Sequence, residues 1–186
     1  DVTFDLQNPE QTEVHTKKTE SWKITIVETG ENSQTGGRLK RVRNYLNNET
    51  FSFTYGDGVA NINIKNLIHH HNMSKAKATL TAVQPPGRYG ALEIKEGNIV
   101  KSFKEKPLGD NSWINGGFFV LEPSVFESIK GDKCSWEDES LKILARNGDL
   151  NAFKHKGFWQ PMDTLRDRKL LEEHWDSGKA PWKLWK

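Results

Sequence analysis

The stretch Phe51-Ser52-Phe53-Thr54-Tyr55-Gly56-Asp57-Gly58-Val59 decides how the chain is read. From Phe51 to Tyr55 aromatic residues alternate with small polar ones, the period of a strand with one buried face. Gly56-Asp57-Gly58 then ends the run and leaves a carboxylate at the strand's exit. An Asp-Gly pair ordinarily marks a hairpin turn. Here a helical pattern follows instead, with Asn61 available as a cap and Ile64, Leu67, Ile68 and His71 on one stripe. A strand that passes directly into a helix predicts a crossover connection.

The same alternation of elements extends outward in both directions. Upstream, Trp22 to Glu28 predicts a strand with Trp22, Ile24 and Ile26 on one face, and Leu39, Val42 and Leu46 recur at helical spacing after Gly36-Gly37. Downstream, Ala78 to Val83 predicts a strand stopped by Pro85-Pro86, whose rings remove ladder donors. Ala91 to Ile94 and Ile99 to Phe103 predict a hairpin around Glu96-Gly97-Asn98. Trp113 to Glu122 predicts a long strand, and Pro123-Ser124 starts a short helix. Ser135 with Asp138, and Thr164 with Asp167, predict capping boxes for two further helices, stopped at Asn147-Gly148 and Gly178. A strand is expected near Asn151 to Trp159. The whole, residues 1–186, reads as one α/β unit with a mostly parallel sheet and helices on both faces. Ligands on such sheets bind at the carboxyl ends of the strands.

Composition narrows the function. Among 186 residues, 27 Lys and Arg nearly cancel 25 Asp and Glu, leaving a formal charge of +2. That balance argues against a nucleic-acid-coating tail and against a polybasic membrane anchor. No stretch approaches the roughly 18 apolar residues of a membrane span, so a soluble protein is expected. Seven Trp and nine Phe supply anchors for a core. Cys134, the single cysteine, excludes an intramolecular disulfide and a multi-cysteine zinc site.

Several residues are placed to do chemistry. Asp57 and Asp163, the second in Gly157-Phe158-Trp159-Gln160-Pro161-Met162-Asp163, both sit at predicted strand exits. Two hard carboxylates there suit Mg²⁺, which prefers oxygen ligands and shares them with substrate phosphates. Glu105-Lys106-Pro107 offers an acid for sugar hydroxyls and an ammonium for phosphate, or a solvated hairpin end. Asn115-Gly116-Gly117 inside a bulky strand predicts a close approach to the backbone, by a ligand or through a β-bulge. Thr35-Gly36-Gly37-Arg38 is a weak candidate anion cradle, with Gly37 and Arg38 as its nucleotide-binding members. It is neither a Walker loop nor a dinucleotide fingerprint. His69-His70-His71 reads as a solvated helix end, since successive helical residues diverge. Cys134 reads as inert, and Trp182 and Trp185 as packing residues.

Together, Thr35-Gly36-Gly37-Arg38, Phe53 to Val59, Gln84-Pro85-Pro86-Gly87-Arg88-Tyr89-Gly90-Ala91-Leu92, Glu105-Lys106-Pro107, Asn115-Gly116-Gly117-Phe118 and Gly157 to Asp163 resemble the sugar-phosphate nucleotidyltransferases. The match is best to the branch that joins CTP to glucose 1-phosphate. The resemblance implies a Rossmann-like nucleotidyltransferase fold, cytoplasmic location, a homo-oligomer, and formation of CDP-glucose and pyrophosphate for surface polysaccharide. It implies Mg²⁺ on Asp57 and Asp163, sugar hydroxyls on Glu105 and sugar phosphate on Lys106. Gly90, Asn115 and Gly117 would line the sugar pocket. Relatives open with a Gly-x-Gly-Thr-Arg loop that this chain does not match, which predicts a fold without its first β-α-β segment and weak or absent turnover of CTP. Alternatives are a non-catalytic sugar-phosphate-binding or assembly module, the same reaction with UTP or dTTP, and, ranked low for want of Asp-x-Asp, a glycosyltransferase.

Overall fold

The computed structural model describes residues 2–5, 7–8, 12–15, 22–85, 91–104 and 112–185. Its ten strands are β1 (Val2–Phe4), β2 (Thr12–Val14), β3 (Phe51–Thr54), β4 (Gly58–Ala60), β5 (Ala78–Val83), β6 (Ala91–Ile94), β7 (Val100–Lys104), β8 (Ile114–Leu121), β9 (Leu150–Lys154) and β10 (Trp159–Pro161). Its α-helices are α1 (Thr35–Arg41), α2 (Ile64–Met73), α3 (Leu141–Arg146) and α4 (Leu165–Asp176).

The main sheet has the order β3-β8-β5-β9. β5 and β9 pair in parallel, whereas β8 runs antiparallel to both β3 and β5. Three of the four strands therefore point the same way, but the reversed β8 lies between two of them, so the sheet is mixed and its parallel pairing is that of β5 with β9. Three two-stranded antiparallel ribbons, β1-β2, β4-β10 and β6-β7, complete the strand pairing.

Strand β8 explains why both faces are covered. Phe119 and Leu121 enter a core with Leu39 of α1, Val125, Phe126, Ile129, Trp136, Leu141 and Leu144, while Val120 joins Ile62 and Leu67 of α2 on the opposite face. A strand buried on both sides reads as an unbroken apolar run, which Phe118 to Leu121 is. Phe53 and Phe119 stack at 5.4 Å, and Trp136 meets both rings edge-on at about 6 Å.

Several local expectations are corrected. Trp22 to Glu28 forms no regular strand. Trp22, Ile24 and Ile26 are 76%, 74% and 93% exposed, and the segment has no ladder partner among the described residues. Alternation marks a strand only where a neighbour takes up its donors and acceptors. Gly58 begins the short strand β4 before any helix, and the cap of α2 is Asn63, whose side chain accepts the Asn66 N–H. The stretch near Asn151 to Trp159 is two strands, β9 and β10, with a turn between. His71 is buried rather than solvated, its ring between Thr79 Oγ1 (2.8 Å) and Glu122 Oε1 (3.0 Å). Ser135 caps the Asp138 N–H as expected, but Glu139, not Asp138, returns the bond to Ser135 N. The box of Thr164 and Asp167 at α4 closes in both directions. Trp182 packs against Phe158 and His174, whereas Trp185 stays exposed.

Candidate active site

Strand β3 ends at Thr54, and Tyr55 still donates its backbone N–H to Gly117 O at 3.0 Å, so the chain leaves the sheet beside β8. Gly56 and Asp57 then turn it into β4, which pairs with β10 in the register Gly58↔Pro161, Val59↔Gln160 and Ala60↔Trp159. One step past the ribbon, Met162 N donates to Asp57 O at 2.8 Å. Asp57 is thereby bonded, main chain to main chain, to the residue that precedes Asp163. Both Asp57 and Asp163 are exposed.

The ribbon is anchored to β8. The indole Nε1 of Trp159 donates to Gly116 O at 2.8 Å. Gly117 has a left-handed backbone, φ +79°, and a Cβ there would lie 2.8 Å from the Tyr55 ring. Glycine is required by both the torsion and the space. The side chain of Asn115 folds over this turn, accepting the Gly117 N–H on Oδ1 (2.9 Å) and donating from Nδ2 to Tyr55 Oη (3.2 Å). Three separate motifs, Tyr55 to Gly58, Asn115 to Gly117 and Trp159 to Asp163, thus meet at one rim of the sheet.

A fourth segment, invisible in the sequence, holds the rim together. Glu137 lies in a π-helical turn, Trp136–Ser140. Its Oε1 accepts the Tyr55 hydroxyl at 2.5 Å, and its Oε2 accepts Thr35 Oγ1 at 2.6 Å and Ser135 Oγ at 3.2 Å. Burial pushes the Glu137 carboxyl up, but the Thr35 and Tyr55 hydroxyls outweigh it and hold the group below its usual range. Burial, followed by the Glu137 charge, pushes the Tyr55 phenol well above its usual range, and Asp57 adds to the effect. The only local signal at Glu137 is an acid in a first helical turn, which by itself indicates a dipole contact.

The remaining candidates are placed differently. The glycines of Thr35-Gly36-Gly37-Arg38 serve packing: a Cβ on Gly37 would overlap the Asp132 carbonyl, and Gly37 N–H is already donated to Cys134 O at 3.2 Å. Arg38, exposed, donates to Thr29 Oγ1 (2.7 Å) and Glu31 O (3.1 Å). Gly90, Glu105 and Lys106 lie outside the described residues. Cys134 is buried, as an inert cysteine should be.

No group of three or more His, Cys, Asp or Glu is arranged to hold a metal among the described residues. A cation at this rim would rest on two carboxylates and complete its shell with phosphate and water oxygens. That donor set fits Mg²⁺, which keeps several waters and takes one or two carboxylates. No helix of the described residues is long and apolar enough to cross a membrane.

A sheet with one reversed strand and helices on both faces, with Asp57 and Asp163 at one strand-exit rim, defines an α/β class of protein with a candidate ligand site at the strand ends. The chain belongs to the nucleotidyl transferase family, whose pattern it matches over residues 4–167. It is 57% identical over its full 186 residues to the glucose-1-phosphate cytidylyltransferase of Salmonella typhimurium, covering 72% of that protein. It is 42% identical over 167 residues to a probable glucose-1-phosphate cytidylyltransferase of Bacillus subtilis, covering 89% of this chain and 65% of that one. Among solved structures, HddC from Yersinia pseudotuberculosis complexed with GMP-PN superposes with a TM-score of 0.58 at 25% identity, over 81% of this chain and 65% of that chain.

Proposed function

We propose that the rim around Asp57 and Asp163 binds glucose 1-phosphate and joins it to CTP, giving CDP-glucose and pyrophosphate. The observation that carries this reading is the Met162 N–Asp57 O bond, which brings the backbone of Asp57 to the residue before Asp163 although the two are far apart in the chain. The 57% identity to the Salmonella enzyme supports glucose 1-phosphate and CTP as substrates.

The reaction asks little of the protein in proton transfer. A phosphate monoester is mostly dianionic near neutral pH, so its own oxygen attacks the α-phosphorus of CTP. A new P–O bond forms and the bond to the departing pyrophosphate breaks. No base is needed, and the rim shows no Ser-His-Asp arrangement among the described residues. Asp57 and Asp163 would hold Mg²⁺, which supplies charge neutralisation and in-line alignment of two polyanions. Glu105 would take sugar hydroxyls, Lys106 the sugar phosphate, and Gly90, Asn115 and Gly117 the sugar ring.

Calorimetric titration of the purified chain with glucose 1-phosphate and Mg²⁺, followed by a pyrophosphate-release assay with CTP, tests the reading. Heat together with slow pyrophosphate release is the expected result, and Asp57→Asn or Asp163→Asn is expected to lower that turnover by about 100-fold. Heat without pyrophosphate would assign the chain to a sugar-phosphate-binding role without chemistry. No heat at millimolar ligand would sink both.

A further inference from the structure

Tyr55 has one proton to give, and the geometry states where it goes. Glu137, an acceptor when ionised, lies 2.5 Å from the Tyr55 hydroxyl and takes that proton's hydrogen bond. The phenol oxygen is left able only to accept. Asn115 Nδ2, 3.2 Å away, must therefore be the donor. The other end of the amide agrees independently. Gly117 N–H, turned toward the side chain by its left-handed backbone, can only donate, and it meets Asn115 Oδ1 at 2.9 Å. Flipping the amide would set donor against donor at Gly117 and leave Tyr55 Oη facing an oxygen. The second hydrogen of Nδ2 has no partner among the described residues.

We infer that Glu137 is a positioning residue which, acting through Tyr55 and together with the Gly117 N–H, holds the hydrogen-bond direction of Asn115, so that this side chain meets the sugar phosphate only as an N–H donor to a ligand oxygen. This rests on the proposed sugar-phosphate site for the ligand's identity but not for the direction of the amide. The same carboxylate takes the Thr35 hydroxyl, so the start of α1 is held to the rim by the group that orients Asn115. A π-helical turn, costly and short, places that carboxylate, and such turns concentrate at functional sites.

The test reads the side-chain amide of Asn115 by ¹⁵N–¹H NMR of the full chain, assigned by its loss in Asn115→Ala, with the Asn151 amide on the opposite part of the sheet as internal control. Tyr55→Phe removes the hydroxyl and keeps the ring. Glu137→Gln keeps the shape but removes the charge and leaves one acceptor oxygen for the Tyr55, Thr35 and Ser135 hydroxyls in place of two. Both are expected to shift the Asn115 pair and leave Asn151 unmoved, and both should weaken glucose 1-phosphate binding by about ten-fold in calorimetry. An Asn115 pair unmoved in both variants would overturn the inference. A shifted pair with unchanged affinity would overturn the claim that Asn115 donates to the ligand. A shifted pair in a wild-type chain that gives no heat would leave the amide direction standing and remove the sugar-phosphate reading instead.

Discussion

Gly117 is the tightest constraint in the rim, because its torsion and its neighbour both exclude a side chain. Gly117→Ala is expected to destabilise the fold by about 1–3 kcal/mol, read as a lower urea midpoint. The Glu137 carboxylate makes a second prediction. Its pKa in the folded state lies below the usual 4.5, so the stability it contributes is present above that value and fades as pH falls through the lower folded value. Tyr55 acts with the opposite sign: its folded pKa lies above the usual 10.0, so its contribution holds below pH 10.0 and fades as pH rises beyond it. Urea midpoints of wild type and Glu137→Gln should converge toward acid and separate near neutrality; parallel curves would contradict the assignment. At this scale the sequence was informative where chemistry and position coincide. Asp57 follows an apolar strand and Asp163 precedes a helix cap, so each announces a strand exit. Glu137 announces nothing, since its partners Thr35 and Tyr55 lie 102 and 82 residues away and only folding brings them together.

The capping box at α4 joins a local motif to the rim. Thr164 and Asp167 satisfy each other's backbone N–H, and Asp167 Oδ1 also accepts from Gln160 of β10 at 3.0 Å. Thr164→Ala should cost about 1 kcal/mol by chemical denaturation. Asp167→Ala should cost more, because it also removes one of the two acceptors of the buried Gln160 amide and leaves only Pro161 O. Elements of this kind are legible because capping is a short-range transaction, complete within four residues. The helices and the strands with two buried faces, β5 and β8, were legible for a related reason: their apolar patterns match the period they adopt. Trp22 to Glu28 has the right alternation and fails for want of a neighbour, a fact no window of local sequence contains. β4 was missed because three residues carry too little pattern and owe their conformation to β10.

The molecule is organised around β8, which feeds two cores at once. Trp136, fully buried against Phe53 and Phe119, closes the larger of them. Trp136→Ala should destabilise the fold by about 3–5 kcal/mol and release the neighbouring Glu137 from Tyr55, a loss visible in the melting temperature. The class of the fold could be inferred from alternating strands and helices. The reversed direction of β8 could not, since the order of elements says nothing about which edge a returning strand will join. The ribbon of β4 and β10 has a consequence for how the protein comes apart. It fastens two stretches roughly a hundred residues distant by a handful of main-chain bonds, and a ribbon of two three-residue strands has few such bonds to lose, so it opens locally at lower cost than the packed sheet. The clasp should therefore open before the sheet melts. Its amide protons would be traded with solvent first, and a warmed sample would part Asp57 from the stretch that carries Asp163 while its spectrum still looked native.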